Sequence, residues 1–157
     1  MDSAPINRNS LNEIELLKKE IELLKNEIKL IKQNCIYKIK IDTLKPKDLR
    51  CTIGKCLDDY ISIEKDGLQY GPYKSYEQGK YLIVYNGDSL LNAYFDVIDN
   101  GIEDKISITF ISKTQTKVVY EIIIPGNLKS GIEFRAFNKN PHTIISVKSI
   151  EVFKYNI

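Results

Sequence analysis

Four side chains have types and spacings suited to holding a polyhydroxylated molecule. They are Tyr94 and Asp96 in Asn92-Ala93-Tyr94-Phe95-Asp96-Val97, and Glu133 and Arg135 in Ile132-Glu133-Phe134-Arg135-Ala136-Phe137. Arg135 offers a planar fork of donors, Asp96 and Glu133 offer acceptors, and Tyr94 offers a ring. A pyranose, with hydroxyls at its rim and C–H groups on its faces, calls for such a set. The competing use of the same residues is an ion pair across adjacent strands, worth up to ~1 kcal/mol.

The other reactive residue types are sparse. His142 is the single histidine; it follows Asn140-Pro141 and reads as an exposed turn residue. Cys51 and Cys56 stand in Cys-Thr-Ile-Gly-Lys-Cys. A zinc knuckle needs a second ligand pair. Only Cys35 remains, so reduced, half-buried thiols are expected. Cysteine catalysis would need a thiol beside His142 with an orienting group, and nothing in the spacing supports that. Asp96, Asp99, Glu103 and Asp104 gather around Asn100-Gly101, where solvated turn acids normally collect; a calcium ion or a glycosidase pair is the lesser reading. Tyr70, Tyr73, Tyr76 and Tyr81 form an aromatic-rich stretch. Packing in the core or at an edge is expected of each, with a ring face for sugar as the alternative use. No phosphate loop, nucleophile elbow or dinucleotide-binding pattern occurs. No catalytic residue, metal or cofactor is therefore assigned.

The elements that must carry these residues are strands. From Cys35 onward apolar and polar residues alternate, as in Ile36-Tyr37-Lys38-Ile39-Lys40-Ile41 and Tyr60-Ile61-Ser62-Ile63-Glu64. Residues 80–85, 92–98, 105–112, 117–124, 131–137 and 143–155 read the same way and are rich in Ile, Val, Tyr and Phe. Turn chemistry separates them: Asp66-Gly67, Gly71-Pro72, Gln78-Gly79, Asn86-Gly87, Asn100-Gly101, Pro125-Gly126, Ser130-Gly131 and Asn140-Pro141. The expected fold is mainly β: an antiparallel jelly-roll sandwich of about eight strands over residues 35–157. Alternation puts Ala93, Phe95, Val97, Ile132, Phe134 and Ala136 on the core side. Tyr94, Asp96, Glu133, Arg135 and Phe137 then face outward.

The N-terminal part has a different period. Residues 1–10 are polar and read as a flexible leader. Over residues 11–34, Ile14, Ile21 and Ile28 fall at heptad position a, and Leu17, Leu24 and Ile31 at d. Ser10 and Glu13 fit a capping box. Glu13, Glu20 and Glu27 occupy g, and Lys18, Lys25 and Lys32 occupy e. A parallel arrangement pairs Glu13 with Lys18, Glu20 with Lys25 and Glu27 with Lys32; an antiparallel one sets like charges together. Such exposed pairs contribute a few tenths of a kcal/mol, roughly, and select orientation more than they stabilise. The expected partner is thus a further copy of the chain in a parallel homo-oligomer. Leu16, Leu23 and Leu30 at c either widen that interface or pack on the head. With Ile31 at d, they tip the balance toward a trimer over a dimer.

Certain short motifs carry a family likeness. Gly71-Pro72-Tyr73, Gly79-Lys80-Tyr81, Glu133-Phe134-Arg135 and Ile150-Glu151-Val152, in that order, resemble a carbohydrate-binding-like jelly-roll β-sandwich module. Modules of that kind accompany bacterial glycosyltransferases. The likeness covers roughly residues 71–154. It implies a non-catalytic accessory role and contact with glycan or a glycan-building partner. The chain departs from ordinary sugar-binding modules in having no Trp.

Composition bounds the remaining possibilities. The 157 residues suit one domain with an appendage. Lys and Arg total 23 against 21 Asp and Glu, a net charge of +2, so no overall field favours nucleic acid. No apolar run approaches the ~20 residues of a membrane span. No signal peptide is visible, so a cytoplasmic location is expected. The sequence reading is a non-enzymatic module with a coiled-coil stalk and a glycan-recognising head. The alternative is a structural scaffold, or a receptor-binding fibre head that contacts protein only.

Overall fold

The computed structural model describes residues 8–34, 37–99, 105–126 and 131–156. The chain divides into two compact units, Met1–Tyr37 and Lys38–Ile157.

The first unit contains one described helix, α1 (Arg8–Asn34), 27 residues long. At 1.5 Å per residue it spans ~40 Å. Strong helix formers and the lack of Gly or Pro explain its continuity. It begins ahead of Leu11, so Ser10 lies inside the helix instead of capping it. No Gly or Pro stands between Arg8 and Ser10, and the described helix starts at Arg8. The a and d side chains Ile14, Leu17, Ile21, Leu24, Ile28 and Ile31 are 48–63% exposed, and Leu16, Leu23 and Leu30 are 57–63% exposed. No second helix is described in this unit to cover that stripe.

The second unit is mainly β. Its strands are β1 (Tyr37–Leu44), β2 (Arg50–Cys51), β3 (Gly54–Cys56), β4 (Ile61–Ile63), β5 (Leu68–Tyr70), β6 (Pro72–Lys74) and β7 (Gly79–Asp88). They continue with β8 (Ala93–Asp99), β9 (Lys105–Ile106), β10 (Ile108–Lys113), β11 (Lys117–Ile124), β12 (Ile132–Asn138) and β13 (Ile145–Asn156). One sheet runs β10-β11-β7-β13-β4-β3, with β1 also on β13. The other runs β2-β5-β12-β8-β9, with β6 also on β12. The long ladders β11·β7, β13·β7 and β12·β8 are antiparallel.

Both sheets contribute to one core. Ile83, Tyr85, Val118, Tyr120, Ile122, Ile150 and Val152 come from the first; Val97, Ile132, Phe134 and Ala136 come from the second. The period-two reading of the core side holds for both central strands of the second sheet, with Phe95 partly buried against the same core. Glu133, read as outward, is nonetheless buried, because β6 also pairs with β12 at that position.

More strands are described than the eight or so expected. Those not anticipated are two or three residues long, as β2, β3, β5 and β6 are. Alternation over so few residues leaves no readable period. The segment expected as one strand over 105–112 divides at Ser107: β9 pairs with β8 in the second sheet, and β10 pairs with β11 in the first.

Asn86-Gly87 is not a turn. Both residues lie inside β7, which continues to Asp88. Gly87 pairs with Val147, and a Cβ built on it would stand 1.9 Å from the Ser146 carbonyl oxygen. Glycine is there to let β13 approach, beside a register shift between Val147 and Ser149. The reversal comes later, at Ser89 with φ 58° and the 3-10 turn Leu90–Asn92.

Candidate functional site on the β8–β12 face

The four residues singled out for ligand binding lie on neighbouring strands. In the β8·β12 ladder Arg135 stands opposite Asp96, Phe137 opposite Tyr94, and Glu133 opposite Ile98. Cross-strand partners share a face, so all four point away from the core that Phe134, Ala136, Ala93 and Val97 occupy.

Arg135 and Asp96 form a two-pronged ion pair. Nε donates to Oδ1 at 2.6 Å and Nη2 donates to Oδ2 at 2.5 Å. The side chains are 18% and 15% exposed, so the pair is shielded but not sealed. The Arg135 guanidinium lies 5.1 Å from the centre of the Phe137 ring. The pairing fixes the plane of the guanidinium without using all five of its donors.

Tyr94 is 62% exposed. Lys113 and Lys139 place their ammonium groups 6.0 Å and 5.9 Å from its ring centre. Lys113 Nζ also donates to the Ala93 carbonyl at 2.6 Å. A groove of about 480 Å³ runs along this surface, lined by Tyr94, Phe95, Asp96, Arg135, Phe137 and Lys139. Glu133 sits deeper, 6% exposed. Burial raises its carboxyl above the ordinary range, the Arg135 charge works against that rise, and Asp96 adds to it. Nearby, Tyr70 and Tyr73 meet edge to face at 6.2 Å. Burial raises the Tyr73 hydroxyl, and the charge on Glu133 adds to the rise.

The tyrosine-rich stretch thus divides. Tyr76 and Tyr81 pack at 5.9 Å from each other, with Tyr76 also 5.9 Å from Phe134 beneath the sheet. Tyr70 and Tyr73 form the separate pair beside Glu133.

The acidic group does not assemble as one site. Asp96 points outward, while Asp99, an odd number of residues further along the same strand, is buried at 2% exposure. Glu103, Asp104 and the Asn100-Gly101 turn lie outside the described residues, as does Ser130. His142 is exposed in a turn, its backbone N–H donating to Asn140 Oδ1 at 2.9 Å. Among the described residues, no three His, Cys, Asp or Glu side chains come together as a metal site. No described helix is long and apolar enough to cross a membrane.

Phe137, Lys139 and Lys113 belong to this surface but carry no sequence assignment. Phe137 was legible, two residues beyond Arg135 on the same face. Lys113 comes from β10 in the other sheet, and no local spacing signals such an approach.

No family model matches the chain, nor does any curated protein or solved structure.

Proposed function

We propose that this chain is a non-catalytic, oligomeric binding module. In this reading α1 assembles as a parallel coiled coil, trimeric over dimeric. The head is a carbohydrate-binding-like jelly roll that recognises glycan, or a glycan-building partner, on the β8–β12 face.

The observation that carries the reading is the placement of Tyr94, Asp96 and Arg135 on one face, lining a groove with Phe137, with Glu133 buried on the same strand as Arg135. Rigid strands hold this set, as a preformed site requires. Two further features support it. β13 lies between β7 on one side and β1 and β4 on the other, while β12 lies between β8 and β5, a strand order compatible with a jelly roll. The exposed heptad stripe of α1 gives an oligomer its seam. A weak site repeated on a shared stalk gains affinity through effective concentration.

A glycan screen of the full chain tests the reading, followed by Tyr94→Ala and Arg135→Ala in any hit. Each substitution is expected to weaken binding by about 1–3 kcal/mol with the oligomer order unchanged. Tyr94→Ala is the cleaner probe, because its ring is mostly exposed and its loss leaves the ion pair intact. An empty screen, or a hit indifferent to both changes, favours the alternative of a structural scaffold or a fibre head contacting protein only. One observation already speaks for that alternative: Arg135 and Asp96 satisfy each other without a ligand.

A further inference from the structure

We propose that Cys51 and Cys56 are a reversible redox site. They close an intramolecular disulfide by exchange with a low-molecular-weight disulfide of the glutathione type. This inference does not depend on the glycan reading.

The two sulfurs stand 3.1 Å apart, both as free thiols. That proximity is imposed by the fold. Cys51 is held in β2 opposite Gln69, and Cys56 in β3 opposite Ile61. The residues between them are pinned as well. Thr52 N–H donates to the Leu68 carbonyl at 2.8 Å, and its hydroxyl accepts from Leu68 N–H at 3.0 Å. The Ile53 carbonyl accepts from Glu64 N–H at 3.1 Å. A Cβ on Gly54 would stand 2.0 Å from the Ser62 carbonyl oxygen, so only glycine lets β3 lie this close to β4. Because β2 belongs to one sheet and β3 to the other, a bond between these sulfurs would clip the two sheets together at their edges.

Access and chemistry assign an order to the two thiols. Cys56 is exposed and lines a groove with Lys45, Lys47, Leu57 and Asp58. The two ammonium groups suit a disulfide that carries carboxylates, such as oxidised glutathione. Cys51 is half-buried, and burial pushes its thiol up to about 12, with Cys56 contributing further. The thiolate is the attacking species, so Cys56 reacts first. Its thiolate attacks one sulfur of the small disulfide, the S–S bond breaks, and the first small thiol leaves and is protonated by water. Cys56 then carries a mixed disulfide and no longer presents a thiolate that repels charge on Cys51 or accepts strongly from its thiol. The Cys56 charge that helps hold the proton on Cys51 is thereby removed, while burial, the largest influence, remains. Cys51 releases its proton to solvent and attacks Cys56 Sγ, and the second small thiol leaves. The protein loses two electrons and two protons, and the small disulfide takes both and becomes two thiols.

The sequence expectation is a pair of reduced, half-buried thiols; both are free thiols, with Cys51 half-buried and Cys56 exposed. The pair closes without the third cysteine, Cys35, which lies outside the described residues.

The test incubates the full chain with oxidised glutathione, quenches by alkylation and maps tryptic peptides by mass. Trypsin cuts after Arg50, Lys55 and Lys65, so peptides 51–55 and 56–65 stay joined only through the disulfide. The joined pair is expected, released by reductant. Cys51→Ser is expected to stop at a stable glutathione adduct on Cys56. Cys56→Ser is expected to react at Cys51 at least tenfold more slowly than wild type reacts at Cys56. The proposal is overturned if both cysteines of the wild type stay alkylatable after prolonged oxidation, or if each carries its own glutathione. Equal rates in wild type and Cys56→Ser would overturn it too.

Discussion

Glu133 shows how one carboxyl reports on the surface around it. Its folded value is raised by burial, with Arg135 opposing and Asp96 reinforcing. In the unfolded chain it titrates near 4.5. Below that value the carboxyl is protonated in both states, and its burial is tolerated. As pH rises through the raised folded value, the folded state must ionise a shielded group, and stability falls. Glu133→Gln removes that penalty. The variant is expected to unfold at higher urea than wild type at pH 7, with the gain vanishing below about pH 4.5. Urea midpoints across pH check this, and a gain that persists in acid counts against it. The ion pair beside it behaves differently. Arg135 and Asp96 support each other, so truncating either leaves a shielded charge alone. A binding loss in Arg135→Ala must therefore be read beside the variant's stability, whereas Tyr94→Ala needs no such correction.

At the scale of elements, Gly87 marks a point where two long strands leave no room for a Cβ. Gly87→Ala would place a methyl group 1.9 Å from the Ser146 oxygen, and β7 and β13 would have to part. The expected cost is about 1–3 kcal/mol or more in denaturant unfolding. Gly126→Ala is the control, because its new methyl meets chiefly the flexible Gln78 side chain. Gly87 also illustrates where sequence reading stopped. Asn-Gly is a strong turn signal, yet close backbone approach requires the same residue, and the local sequence does not distinguish the two. The core sides of β8 and β12 were legible because seven residues of sequence alternation fix them, but the burial of Glu133 was not, since it depends on β6 pairing with β12 there. The adjacency of those strands was not legible, because β12 pairs with β8 across the intervening β9, β10 and β11. The two- and three-residue strands were hidden for a related reason. Their pairing is decided by what lies against them, as Gly54 lies opposite Ile63 with the Ser62 carbonyl where its Cβ would be.

At the scale of the whole molecule, the proposed reading makes the heptad stripe the seam of the assembly. Full-length protein is expected to sediment as a trimer. Replacing Ile21 and Leu24 by Asp is expected to give monomers whose β-type circular dichroism persists, since charges forced into an apolar seam cost several kcal/mol, roughly. A monomeric wild type would remove the stalk from the proposal. The head holds a consequence of another kind. β1 and β4 both take their places in the first sheet against β13. Roughly a hundred residues separate the end of β1 from the start of β13. During translation at ~5–20 residues per second, β1 therefore waits about 5–20 s before its partner leaves the ribosome. Ile39 and Ile41, about half exposed even in the folded head, are open to the cell throughout that wait. Closure of the head is thus a late, long-range event, and the nascent chain must stay soluble until β13 emerges.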